Sequence, residues 1–372
     1  MDVGEANGAR LPSTGDGRVL EPTGLDPAVV PSIRVRTATH GDTNTAEVLE
    51  RHSARGLVVL HRGRLAHEWY ADGIDPARPN ACFSITKSWT GTLAARAMHD
   101  GRLDRDSLVA DLVPELAGGG FGDASVGDVA DMTVGVDYDE EYDGATAHGH
   151  GFGDYLVAIG FEPPTDDQPT SIRSLLSAMG RSAVPHGHTF AYGTPVTDVL
   201  GWLLERADGR PYVEQLRTDL WAAIGAEHEA DVLHDPAGTP LAGGGLMATT
   251  RDIARFGQLV LEQATAPTNG ARPVIPAPVI DTIRDGGDRD AFQRGGQYAY
   301  LGDYSYRDQW WLPGGPSRPL SAWGIYGQVL WIDVEAGVVI ACHAGGPDAS
   351  DARRDLEQDA MCRAIVDAAA GW

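Results

Sequence analysis

The sequence predicts an α/β (α+β) fold: an antiparallel sheet flanked by helices, joined to a mainly helical lobe. Three observations carry this. A strand–turn–strand pattern stands near the beginning, at residues 56–61 and 64–70 around Arg62-Gly63. A second stands near the end, at residues 324–334 and 337–344 around Glu335-Ala336. Between them, from residue 103 to about residue 235, the pattern is mostly helical, broken by loops. Two distant hairpins can share one sheet only if the two ends of the chain come together. The expected organisation is therefore an N-terminal arm (1–43), a discontinuous α/β domain (44–100 and 240–372) and a mainly helical domain (101–239). The cleft between the domains is the expected ligand site.

Each element has its local reason. Residues 1–43 are acidic and rich in Gly and Pro, and read as an extended arm over the body or a partly disordered tail. Asn44 is a candidate N-cap for a short helix over 45–55. After the first hairpin and a loop at 75–80, Ala81-Cys82-Phe83 leads into a helix from Ser84 to about His99. Its apolar positions Trp89, Leu93, Ala94 and Ala97 recur at helical spacing, and Asp100-Gly101 stops it. Helical pieces are expected at 107–116, 126–132, 170–179, 196–206 and 211–224, with a long polar loop at 137–153. A Gly-rich run at 241–249 leads into a helix at 251–262, with Thr250 the expected cap. An amphipathic helix at 350–370 closes the chain.

Composition narrows the partners. A net charge of -24 repels nucleic acid and anionic membranes, so neither is expected as a partner. No apolar run approaches the length of a membrane span, and the first 30 residues lack the basic and apolar regions of a signal peptide. The chain accordingly reads as cytoplasmic. Cys82, Cys342 and Cys362 are too few and too scattered for a disulfide framework or a zinc site. Oligomeric state stays open, a homodimer included.

The chemistry begins at Ser84-Ile85-Thr86-Lys87. Of 29 basic residues, 28 are arginine, and the single lysine stands three places after a serine at a helix start. Arginine keeps its charge at any accessible pH, whereas lysine loses its proton when burial lowers its pKa. Positions i and i+3 share a helix face, so Ser84 Oγ and Lys87 Nζ can meet, and a hydroxyl beside a deprotonatable amine is an activated nucleophile. Other features are weaker. The acidic residues Asp137, Asp139, Glu140, Glu141 and Asp143 could hold Ca²⁺ but read better as a solvated loop. His148, His150, His186 and His188 suggest a metal but lack a completing ligand pattern. No metal and no cofactor is expected.

Several blocks in order give a resemblance. Ser84-x-x-Lys87 opening a helix resembles the first motif of the serine β-lactamase and penicillin-binding-protein superfamily. Residues 100–107, 113–116, 190–195, 242–253 and 324–333 are similar to its class C branch, so the resemblance covers roughly residues 45 to 370 and implies a β-lactamase-like fold. Residues 133–142 and Gln309-Trp310-Trp311 look closest to the 6-aminohexanoate-dimer hydrolases, amidases of nylon oligomers with esterase relatives. The resemblance implies a serine hydrolase acting on a small amide or ester through an acyl-enzyme. A broad carboxylesterase, a β-lactamase or D-Ala-D-Ala peptidase, and a catalytically silent binding module of the same fold are the alternatives.

Carried over residue by residue, Ser84 is the nucleophile, Lys87 the base and Tyr192 the proton relay, with Thr194 where the family has Asn. Tyr326-Gly327-Gln328 stands where the family has Lys-Thr-Gly. The backbone amides of Ser84 and Gln328 are then the expected oxyanion hole. Tyr142, Thr194, Tyr326, Gly327, Trp310 and Trp311 are the expected substrate contacts. Lack of a lysine in the third motif argues against penicillin-type substrates. Whether Lys87 is neutral or Tyr192 ionised is left open, because their protons are coupled.

Overall fold

The computed structural model describes residues 7–15, 17–142, 150–165, 168–265 and 273–372. The two hairpins do meet. Strand Val338–Ala344 pairs antiparallel with strand Ala54–His61, from Val338 opposite His61 to Ala344 opposite Ala54. The result is a seven-stranded antiparallel sheet in the order Ser305–Arg307, Trp310–Leu312, Leu320–Gly324, Gln328–Asp333, Val338–Ala344, Ala54–His61, Arg64–Tyr70.

Both faces of this sheet are covered, which is why its central strands are apolar almost throughout rather than alternating. Val58, Leu60, Leu330, Ile332 and Val339 turn to one face, against Ile253 and Phe256 of helix Thr250–Thr265 and Trp89 of helix Ile85–His99. Leu57, Val59, Val329, Trp331 and Ile340 turn to the other, against Met361, Cys362 and Ile365 of helix Ala352–Ala369. The helix that follows Ser84 is buried on nearly every side, as expected of a core helix lodged between sheet and lobe. Truncating Leu57, fully buried, should cost about 2–5 kcal/mol.

The arm is partly built in. Gly8–Leu11 pairs with Ala230–Leu233 in a four-stranded sheet whose far edge, Asn80–Ala81, runs straight toward Ser84. Asn44 caps helix Thr45–Arg51 through Glu47 N–H at 3.0 Å. The buried Glu357 collects Thr39, His40, Arg51 and His52, fastening residues 34–52 to the last helix.

Two expectations are corrected. Thr249, not Thr250, caps the helix that follows it: its hydroxyl accepts from Asp252 N–H at 3.1 Å and donates to the Asp252 carboxylate. Thr250 Oγ1 instead bonds the buried His343. And residues 324–334 are not one strand. The chain leaves strand Leu320–Gly324, turns through Ile325–Gly327 with Tyr326 at φ 63°, and re-enters the sheet at Gln328.

Candidate active site

Ser84 is delivered by a sharp bend. Strand Asn80–Ala81 and the bond from Cys82 N–H to Leu246 O anchor the incoming chain. Phe83 then adopts φ 46°, a left-handed conformation that costs a non-glycine residue roughly 1–2 kcal/mol. Its ring rests on that of Tyr326, also left-handed, at 5.4 Å. Ser84 follows as the N-cap of helix Ile85–His99.

Lys87, one helical turn on, is 1% exposed. Its Nζ lies 2.8 Å from Ser84 Oγ, 3.0 Å from Thr194 Oγ1 and 2.7 Å from the Gly243 carbonyl oxygen. The roles of two partners are fixed. A carbonyl only accepts. Thr194 Oγ1 spends its proton on the Glu140 carboxylate, so it too accepts from Lys87. A neutral amine donating to both keeps its lone pair for the Ser84 hydroxyl. Burial lowers the Lys87 pKa to about 8, while Glu140 and Asp198 act in the opposite sense. No carboxylate among the described residues forms an ion pair with Lys87; each of the two acids is one group removed. Glu140 acts through Thr194. Asp198 accepts from the N–H of Gly243 at 2.9 Å, the residue whose carbonyl meets Lys87. Gly243 has to be glycine, since a Cβ there would stand 2.7 Å from Thr194 O.

Tyr192 is 6% exposed, and its hydroxyl pairs with the Ser84 side chain. Burial pushes its pKa up, so it is held as the neutral phenol. Its ring packs on Trp311 at 5.4 Å and Tyr298 at 5.6 Å, and Lys87 Nζ lies 5.1 Å from its centre. These rings line a cavity of about 40 Å³ that reaches Ser84, together with Tyr142, Trp323, Gly324, Ile325, Arg354 and Asp355. Tyr142 bonds Glu140 at 3.2 Å and stands edge-on to Phe152.

The structure thus brings Ser84, Lys87, Tyr192, Thr194, Tyr142 and Trp311 together. It does not bring the rest. Adjacent strand residues point to opposite faces. With Trp311 on the cavity, Trp310 is turned into the core, fully buried, with its indole N–H on Thr92 Oγ1 at 3.2 Å. Gln328 lies off the cavity wall. Its side-chain amide donates to Ile325 O and Ala344 O and accepts from Ala344 N–H, clamping the turn. Tyr326 leans on Phe83, and Gly327 is buried under Arg354 and Gln358. The backbone that does reach the cavity is Gly324–Ile325, and a Cβ on Gly324 would lie 2.8 Å from Cys82 O.

Asp198, Gly243 and Ile325 were not singled out from the sequence as site residues, and Glu140, read there as part of a solvated loop, is 2% exposed. Asp198 left a readable signal. It is an acid within the apolar run Val196–Leu200, four residues after Thr194 and so on its helix face. Glu140 was hidden among neighbouring acids. Asp143 and His148 lie outside the described residues. His186 accepts from Gly135 N–H, and His150 pairs with Asp154 in the first turn of helix Phe152–Ala158. Among the described residues no group of three or more His, Cys, Asp or Glu could hold a metal, and no helix is long and apolar enough to cross a membrane.

The chain is similar to known proteins over most of its length. The chain is 33% identical over 300 residues to a 6-aminohexanoate-dimer hydrolase of Paenarthrobacter ureafaciens, covering 81% of this chain and 74% of that one. It superposes with a TM-score of 0.83 and 25% identity on the structure of a candidate 6-aminohexanoate-dimer hydrolase from Bacillus anthracis, covering 97% of this chain and 90% of the other. EstCE1, a hydrolase with promiscuous acyltransferase activity, shares the fold at a TM-score of 0.60 and 16% identity, over 85% of this chain and 98% of its own. The profile of the Beta-lactamase family matches residues 42–360. The chain belongs to the Beta-lactamase family.

Proposed function

We propose that the protein is a serine hydrolase that cleaves small linear amides or esters through an acyl-enzyme, with 6-aminohexanoate oligomers as its most specific substrates. One observation carries the reading: Ser84 Oγ stands 2.8 Å from a buried lysine whose two other partners are committed acceptors. The relative named for 6-aminohexanoate dimer supports the substrate class. Lys87 is the only lysine in the chain, so no second one is present to bind a penicillin-type carboxylate.

The steps follow from the contacts. Neutral Lys87 takes the Ser84 proton as Oγ attacks the carbonyl carbon. The negative charge on the carbonyl oxygen is held by the backbone amides of Ser84 and Ile325; Ile325 takes the place expected of Gln328. Losing one such donor costs acyl enzymes roughly 2.7–4 kcal/mol. Tyr192, kept protonated by burial, gives its proton to the departing amine or alcohol and is reprotonated from Lys87. Water then attacks the ester of Ser84, a proton passing back through the same groups, and free acid leaves. Tyr142 borders the substrate, whereas Thr194, expected there, stands behind Lys87.

The test is one plate holding nitrophenyl esters, 6-aminohexanoate dimer and a chromogenic cephalosporin, with intact-mass analysis after fluorophosphonate treatment. The expected outcome is turnover of esters and dimer and a single adduct on Ser84. Cephalosporin as the one compound hydrolysed, or no adduct, overturns the reading.

A further inference from the structure

Glu140 is 2% exposed, and both its oxygens are used within a few ångströms of the site. Oε2 accepts from Thr194 N–H at 2.8 Å; Oε1 accepts the Thr194 hydroxyl and, at 3.2 Å, the Tyr142 hydroxyl. We propose that Glu140 is the positioning residue of the general base: by taking the Thr194 hydroxyl proton, it leaves Thr194 able only to accept from Lys87, and so directs the amine's lone pair at Ser84. The inference rests on the hydrolase reading above and adds a residue to it. It also ties the aim of the base to Tyr142 on the cavity wall.

The plainer role for Glu140 is as the cap of helix Thr194–Asp208, whose first N–H it takes and whose N-terminal end favours a carboxylate. A cap needs one acceptor oxygen and no particular hydroxyl direction. The second oxygen is what acts on the base. In Glu140→Gln one oxygen becomes an NH₂ donor, so one of the two Thr194 bonds is lost. The Thr194 hydroxyl is then free to turn its proton onto Lys87 in competition with Ser84. The charge balance changes as well. Lys87 is faced by Glu140 from the segment before residue 142, by Asp198 and Thr194 from helix Thr194–Asp208, by Tyr192 from the segment before that helix, and by the Gly243 carbonyl. Asp198 is itself held by Tyr155 at 3.0 Å. Removing Glu140 takes away a negative charge that favours the ammonium form, while Asp198, whose pKa burial raises to about 7, loses its own charge as pH falls.

The experiment uses the fact that this chain has one lysine. Protein labelled with lysine carrying ¹³C at Cε gives a single lysine signal, and its titration midpoint is compared between the native chain and Glu140→Gln. Acylation by p-nitrophenyl acetate is followed in parallel as a function of pH. The midpoint should fall by about half a pH unit or more, the acid limb of acylation should move down with it, and the plateau rate should drop about tenfold or more. Thr194→Val should lose a similar factor, while Thr194→Ser, which keeps the hydroxyl, should retain most of the rate. That pair also decides the case if Glu140→Gln fails to fold. An unmoved midpoint with an unchanged rate in folded Glu140→Gln, or equal damage in Thr194→Val and Thr194→Ser, overturns the proposal. Absence of acylation in the native chain would instead sink the hydrolase reading, and the lysine midpoint would still decide what Glu140 does to Lys87.

Discussion

Two hollows of the molecule each contain a buried or half-buried cation, and they hold it in opposite ways. The roomier one, about 220 Å³, is lined by Arg105, Asp128, Asp131, Asp288, Phe190 and Tyr306. There Arg105 bonds the carboxylates of Asp131 and Asp308 directly, and Arg307 lies within 3.6 Å of Asp131 and 3.4 Å of Asp308. Direct pairing locks the charge: the Arg105 pKa is raised by both acids. The Ser84 cavity is far smaller, and Lys87 there is separated from both nearby acids by one intervening group. The carboxylates hold the partners of Lys87 without holding Lys87 itself, so burial wins and the amine can lose its proton. Volume does not locate the chemistry in this fold. A cation left short of its counter-ions does.

The sharpest way to break this contrast is to make Lys87 like Arg105. Lys87→Arg should abolish acylation, a loss on the order of a thousandfold or more, because a guanidinium cannot give up its proton. Retention of a tenth of the native rate in a nitrophenyl ester assay would rule lysine out as the base. Putting a carboxylate in direct contact should act more gently. Thr194→Asp should lift the Lys87 midpoint above 8 and slow acylation at pH 7 by roughly a hundredfold, with activity regained at high pH. Tyr192→Phe should cost amides about tenfold more than activated esters, since good leaving groups need less acid help. Equal losses on both would remove Tyr192 from that step. In the paired hollow, Asp308→Asn should destabilise the fold by about 2 kcal/mol in denaturant unfolding while leaving the pH dependence of acylation unmoved.

The pH dependence of the native chain has a definite sign. Lys87 must be neutral to accept the Ser84 proton, so acylation should rise with pH through about 8, where Lys87 titrates. A limb well below that would place the titration on another group.

The parts of the fold legible in the sequence are those set by local pattern. The two hairpins, the helix after Ser84 and the capping Asn44 all follow from period, turn residues and a cap. Lys87 was legible because a chain that uses arginine everywhere else keeps its one lysine three places after Ser84, and of the two only lysine can give up its proton. The proposed oxyanion position was not. The turn at Ile325–Gly327 depends on Tyr326 entering the left-handed region, and a tyrosine gives no hint of that. Gln328 therefore read as the strand position beside the nucleophile, when it is the clamp behind the turn. The split between Trp310 and Trp311 follows from strand parity, but which of the two faces the cavity depends on packing against helix Ile85–His99. Gly243 reaches Lys87, and Glu140 reaches Thr194, from distant parts of the chain, and nothing local announces such contacts.

The central claim is that Lys87 is a buried amine held close to neutrality, and its single ¹³Cε signal measures this directly. A pH titration of the unmodified protein should give a midpoint near 8. A midpoint at or above about 10.4, the value of an unperturbed lysine, would mean that the charge is as firmly held as that of Arg105, and the account of the base would be wrong.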